Sequence, residues 1–132
     1  MVADLFHYGH VEFLKKASAF GDHLLVGICS DEAVQANKRN PILRMEERVA
    51  SVSGCRYVDE VVPDCPWIMD AAWIEKHKID LVVHGDDYSS EQIEHLYKVP
   101  ISMGIFRTVP YTPTISTTEI IRRCQEAKTE GI

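Results

Sequence analysis

Two histidines stand three residues apart in the segment His7-Tyr8-Gly9-His10, and on the first turn of a helix that spacing puts both imidazoles on one side. A helix start already favours an anion through its free backbone N–H groups and the positive end of its dipole, and Gly9 would let a phosphate approach the backbone closely. Two imidazoles there can donate hydrogen bonds to a phosphoryl group in transit. The competing readings are a chance pair, or part of a zinc site for which no third ligand is obvious. Near the other end of the chain, Thr114-Ile115-Ser116-Thr117-Thr118-Glu119 sets hydroxyl residues before an apolar-periodic stretch. Ser116 and Glu119 have capping-box spacing, and a helix start of this kind can bind phosphate with the same N–H groups that it caps.

These segments need a scaffold, and the apolar pattern supplies one. Short β-branched runs alternate with longer amphipathic stretches, the mark of a βαβ series with a parallel sheet. Strands are expected over His23–Cys29, Tyr57–Val62 and Ile79–His84, with a weaker fourth over Ile101–Val109. Helices are expected over Gly9–Ala19, Asp31–Asn37, Met45–Ser53, Ile68–His77 and Ser90–Lys98, with a last one from Ser116. The fold class is α/β: a Rossmann-like, doubly wound parallel sheet with helices on both faces, in a single domain spanning residues 1–132. In such a sheet functional groups collect beyond the carboxyl ends of the strands, here Cys29-Ser30-Asp31, Pro63 to Trp67 and His84 to Tyr88. The sheet normally opens with a strand feeding the first helix, yet Met1 stands only a few residues before that helix. The first strand is therefore missing or truncated.

Composition bounds the function. The chain has 132 residues, 45% hydrophobic and 26% charged, which suits one soluble domain with disorder expected only in the last few residues. A net charge of −6 argues against a nucleic-acid surface. With no apolar run of membrane-span length and no signal-like start, a cytoplasmic setting is expected. Cys29, Cys55, Cys65 and Cys124 show no CxxC spacing and are expected as free thiols packed like small hydrophobes, with no metal site.

Asp4-Leu5-Phe6-His7-Tyr8-Gly9-His10 together with Ile115-Ser116-Thr117-Thr118 resembles the HxGH and ISTT signatures of the cytidylyltransferase family, which includes choline-phosphate, ethanolamine-phosphate and glycerol-3-phosphate enzymes. Gly27-Ile28-Cys29-Ser30-Asp31-Glu32, Glu47-Arg48 and Arg56-Tyr57-Val58-Asp59-Glu60-Val61 are similar to further family segments, so the likeness runs through nearly the whole chain. The resemblance implies transfer of CMP from CTP, with Mg2+ attending the triphosphate, to a small phosphorylated or phosphonate acceptor. His7, His10 and Lys38 would be catalytic. Lys38 would bridge the phosphates of both substrates, although Lys38 and Arg39 alone read as solvated loop charge. Ala3, Asp4, Gly9, Arg48, His84, Asp86, Ile115, Ser116 and Thr117 would bind the nucleotide, and the Arg56–Val61 stretch would contribute to a homodimer.

An acceptor pocket is expected from Trp67, Asp87, Tyr88 and Tyr111, with His84 and Asp86 nearby, because an aromatic face beside carboxylates suits an ammonium group. The competing, less favoured reading of Trp67 is a core aromatic at a loop edge. Trp73, His23, His77 and His95 carry no expected role. The chain departs from the family pattern at Met1-Val2-Ala3-Asp4, which stands where GxFD is usual, and at Tyr111, which stands where a phosphate-binding arginine is usual. Arg107 or Arg122 are the candidate substitutes. The start, His84-Gly85-Asp86-Asp87 and the Tyr111–Ser116 ending look like the phosphonate-biosynthesis branch, for which Tyr111, Arg107 and Thr112 would serve the acceptor. Cys65-Pro66-Trp67 looks like the choline-phosphate enzymes. Transfer of AMP from ATP, and a nucleotide-binding module without catalysis, remain as alternatives.

Overall fold

The computed structural model describes residues 1–127, so the expected terminal disorder concerns positions outside the described residues. In chain order the elements are α1 (Tyr8–Ser18), β1 (Leu25–Cys29), α2 (Asp31–Asn37), α3 (Met45–Ser53), β2 (Glu60–Cys65), α4 (Ala71–Lys76), β3 (Val82–Gly85), α5 (Ser90–Leu96), α6 (Lys98–Ser102), β4 (Phe106–Val109) and α7 (Thr117–Ala127). β1 carries the centre of the core because its alternate residues are apolar on both faces. Val26 and Ile28 pack with Leu14 of α1 and Val52 of α3. Cys29 packs with Cys65, Val34 of α2 and Trp73 of α4. Helices therefore cover both faces, as the pattern implies.

β1 pairs in parallel with β2, Leu25 opposite Glu60 and Cys29 opposite Cys65. The register slips at Asp64, whose φ of 59° is the left-handed turn of a bulge, so that Cys65 rather than Asp64 stands opposite Cys29 at the end of β2. β3 pairs in parallel with β4, from Val82 opposite Phe106 to Gly85 opposite Val109. The expected parallel α/β arrangement with helices on both faces holds, with its four strands paired as two two-stranded parallel sheets. The space between them belongs to a cavity of about 510 Å³ lined by Leu24 to Gly27 on one side and Leu81 to Gly85 on the other. Met1 alone follows the β1 edge: its amino group donates to the Gly27 carbonyl and its carbonyl accepts from Cys29 N at 3.0 Å. That is the parallel ladder pattern opposite Ile28.

Most boundaries move by a few residues for identifiable reasons. Arg56 to Asp59 do not extend: Val58 N donates to Cys55 O at 3.1 Å while Tyr57 and Val58 pack on the core, so β2 begins at Glu60. Ile101 and Ser102, the first two residues of the expected fourth strand, close α6 instead, and Met103 and Gly104 turn before β4 begins at Phe106. Pro100, fully buried in α6, has no N–H to offer the carbonyl four residues back. That carbonyl, Leu96 O, accepts from Met69 N at 2.9 Å instead, and the helix breaks at Tyr97. Three of the four cysteines are buried as expected, but Cys124 is exposed. Among the described residues no helix is long and apolar enough to cross a membrane.

Candidate active site

The start of α1 is capped by its own imidazoles. His7 is the N-cap, with extended φ and ψ, and its Nδ1 accepts from Gly9 N at 3.1 Å. In return His10 Nδ1 accepts from His7 N at 3.0 Å. This is a capping box built from two histidines, with ring centroids 3.8 Å apart. Since both Nδ1 atoms accept from backbone N–H groups, each neutral ring carries its proton on Nε2. Burial pushes His7 below the usual imidazole range. Burial first, then the neighbouring His7, brings His10 down to about 3. Both rings are thus neutral Nε2–H donors at pH 7. His7 Nε2 is buried without a partner among the described residues, and His10 lines the 510 Å³ cavity.

Gly9 serves packing before it serves any ligand. A Cβ there would lie 2.8 Å from Ile115 Cγ2 and 2.9 Å from His7 Cε1, so glycine is what lets α1 abut the segment that leads into α7. Ile115 is accordingly buried and is the apolar joint between the start of α1 and the segment leading into α7. Tyr8 Oη and Thr114 Oγ1 are 3.0 Å apart, and Thr117 Oγ1 donates to Asp4 O at 2.7 Å. Residues more than a hundred positions apart in sequence are thereby held together. Ser116 Oγ accepts from Glu119 N at 3.0 Å, the cap that its spacing foretells. Ser116, Thr117 and Thr118, at the start of α7, line a second cavity of about 410 Å³ together with Asp4, Lys38, Arg39 and Asp87.

Asp4 and Arg48 hold this arrangement from beneath. Buried Asp4 accepts from Ile42 N at 2.8 Å and Leu43 N at 2.9 Å, flanked by left-handed Ala3 and Leu5 with φ of 56° and 50°. Ala3 also lines the larger cavity. Arg48 is completely buried. Its guanidinium donates to Leu43 O, Val2 O and Cys29 O at 3.1, 2.9 and 2.9 Å and to Asp31 Oδ1 at 2.7 Å. The expectation that Arg48 binds nucleotide is corrected to a brace: its donors are committed to the backbone behind the site, and it lies on the wall of neither cavity. The sequence hint was its position on a helix facing the core.

The acceptor candidates converge. Trp67, His84, Asp87, Tyr88 and Tyr111 all line the larger cavity with Lys38. His84 Nδ1 donates to Gly85 O at 2.8 Å, so its neutral form presents Nε2 as an acceptor, and burial lowers its pKa. Its ring lies against Tyr88 and Tyr97, centroids 4.8 and 5.0 Å away. Tyr97 is a member of this cluster that sequence reasoning missed, lying where a plain helix was expected. Asp86 does not join them; its carboxylate accepts from Tyr111 N at 2.8 Å and so fixes the Tyr111 loop. Neither arginine proposed to replace the missing one reaches the site. Arg122 is taken up by Glu119 and Glu126, and Arg107 turns back on the carbonyls of Gly104 and Phe106. The cations lining the second cavity are Lys38 and Arg39; Arg39 was read from sequence as loop charge.

Known proteins resemble this chain over most of its length. The chain is 47% identical over 127 residues to the ethanolamine-phosphate cytidylyltransferase of Arabidopsis thaliana, covering 91% of this chain and 30% of the relative. It is 44% identical to that of Dictyostelium discoideum, covering 91% and 35%, and 39% identical to choline-phosphate cytidylyltransferase A of Rattus norvegicus, covering 92% and 34%. The chain thus spans about a third of the length of these curated relatives. The crystal structure of the lipopolysaccharide core biosynthesis protein from Thermoplasma volcanium GSS1 superimposes with a TM-score of 0.68 at 26% identity, over 85% of this chain and 91% of that one. The cytidylyltransferase-like family model matches residues 2–123, from the Asp4 brace through the paired histidines to the hydroxyl-rich start of α7, and the chain belongs to that family.

Proposed function

We propose that this domain transfers CMP from CTP to the phosphate of a small phospho-alcohol with an ammonium head group, of the phosphoethanolamine or phosphocholine type, releasing pyrophosphate. The observation that carries this reading is the junction of α1 with the α7 segment, where paired neutral imidazoles meet the hydroxyl-rich start of α7. It stands beside a cavity of aromatic rings and a carboxylate that shares Lys38 and Asp87 with the phosphate side. The names of the relatives support a phospho-alcohol acceptor and CTP over ATP.

An acceptor phosphate oxygen attacks the α-phosphorus in line; the new P–O bond forms as the bond to the β-phosphate breaks and pyrophosphate leaves with the electron pair. The attacking oxygen is already ionised, so the protein's tasks are positioning and charge stabilisation. The Nε2–H groups of His7 and His10 donate to phosphoryl oxygens without giving up a proton, because burial holds both rings neutral. The Thr117 and Thr118 amides, with Lys38 and Arg39, hold the triphosphate. Mg2+ would neutralise that triphosphate and keep most of its ligands as phosphate oxygens and water. Both Asp4 oxygens are committed to amides, so Asp87 is the carboxylate on the second cavity fitted to meet it.

A homodimer through residues 56–61 is also proposed. The apolar Tyr57, Val58 and Val61 pack on this chain's own core, so Arg56, Asp59 and Glu60 would form most of that face. Sedimentation of wild type and Arg56→Glu tests it.

A pyrophosphate-release assay with CTP and ATP against phosphoethanolamine, phosphocholine, glycerol 3-phosphate and a hydroxyalkylphosphonate tests the main reading. Turnover should be fastest with CTP and one of the two ammonium acceptors. Faster turnover of glycerol 3-phosphate or the phosphonate than of both ammonium acceptors would overturn the acceptor class.

A further inference from the structure

Lys38 sits where a substrate cation belongs. Its Nζ is 5.0 Å from the centroid of Tyr88 and 5.9 Å from that of Trp67, both within the roughly 6 Å range of a cation held on ring faces. Among the described residues no carboxylate forms an ion pair with it. The side chain leaves the exposed C-cap of α2, where the backbone is extended, so it is anchored at its root and free at its tip. It also lines both cavities, with the aromatic rings on one side and the α7 N-terminus on the other.

We propose that Lys38 is an internal occupant of the acceptor's ammonium seat, displaced when the acceptor binds and thereby released toward the phosphates of the second cavity. The inference rests on the acceptor reading above. An ammonium arriving between Trp67 and Tyr88 competes with Lys38 for the same ring faces, and like charges cannot share them. Once displaced, the lysine finds the triphosphate on the other wall. Acceptor and nucleotide thereby favour one another, since each selects the outward position of Lys38. Lys38 acts here as a positioning and specificity residue whose location reports acceptor occupancy.

The test uses choline, an ammonium head group without a phosphate, titrated into the protein and followed by broadening of its methyl NMR signal. Lys38→Met keeps the alkyl stem, removes the charge and alters an exposed position, so the fold is retained. Choline should bind Lys38→Met about 3- to 30-fold more tightly than wild type, the population penalty expected from one cation on ring faces. CTP should raise the choline affinity of wild type by more than that of Lys38→Met, because only wild type has a lysine to draw away. Trp67→Ala should abolish binding in both backgrounds. Equal or weaker choline binding by Lys38→Met, or an equal CTP effect in the two proteins, overturns the proposal while leaving the ammonium seat in place. Choline binding by neither protein overturns both the proposal and the ammonium reading, whereas pyrophosphate release with CTP tests the transferase reading by itself.

Discussion

Arg48→Met separates a brace from a nucleotide ligand. Methionine keeps much of the volume but removes the donors to Val2 O, Leu43 O and Cys29 O and the partner of Asp31. The guanidinium is wholly buried while the Asp31 side chain is 30% exposed, so water relieves the carboxylate but not the carbonyls. Removing one partner of a buried pair costs about 3 to 5 kcal/mol, and the partial exposure of Asp31 favours the lower end. With unfolding entropy near 2.1 cal/mol/K per residue, 132 residues give about 0.28 kcal/mol/K, so the melting temperature should fall by roughly 11 to 18 °C. Calorimetry on wild type and Arg48→Met, beside KM for CTP measured well below both transitions, reads the outcome. A fall of less than about 3 °C together with a raised KM for CTP would refute the brace and restore Arg48 as a direct ligand.

His10→Asn keeps an acceptor for His7 N but removes the Nε2 donor, so turnover should drop by about 10²-fold or more with the fold intact; a few-fold change in steady-state assays would remove His10 from the chemistry. In the pH dependence of stability, the folded pKa of His10 lies at about 3, below the ordinary 6.5, so the unfolded chain binds the proton first. Stability is therefore full above pH 6.5 and declines as pH falls toward 3, by on the order of 2 kcal/mol at pH 5. Urea melts should show this slope flattened in His10→Asn, and an unchanged slope would contradict the buried neutral ring. Gly9→Ala drives a methyl into Ile115 and the His7 ring, and should cost about 1 to 3 kcal/mol and lower turnover as well. Wild-type stability and rate would mean that the junction is looser than its distances indicate. Amide exchange should be fast at Leu25 and Gly27, which face the gap, and slow at Val26 and Ile28, which face β2; uniform protection along β1 would show that the edge is covered.

What the sequence reveals here is local, and what it hides is set by distant partners. β-branched runs locate the four strands because a buried parallel strand must be apolar on both faces. They cannot show that Val58 will turn back to Cys55, or that Pro100 will divert a helix into the start of the expected fourth strand. At the site, the spacing of His7 and His10 and the cap at Ser116 are legible because they are contacts within one turn. Arg48 was misplaced because only the folded chain brings Val2, Cys29 and Leu43 around it. Lys38 reads as loop charge until Trp67 and Tyr88, supplied by two other strand ends, stand beneath it. The tautomers of the two histidines follow from backbone donors that have no sequence signature.

The interruption between β1 and β3 gives the molecule four sheet edges where an unbroken sheet has two. The inner pair present Leu25 and Gly27 on one bank and Val83 and Gly85 on the other, polar backbone set among apolar side chains. Gly27 O accepts from the Met1 amino group and Gly85 O from His84 Nδ1; water has to satisfy the remaining groups, because a buried backbone donor or acceptor left without a partner is costly. An oily molecule filling the gap would gain contact with the side chains and strand the peptide groups at the same time. The gap therefore disfavours hydrocarbon despite its apolar walls, because filling it with hydrocarbon would strand the peptide groups set among those walls.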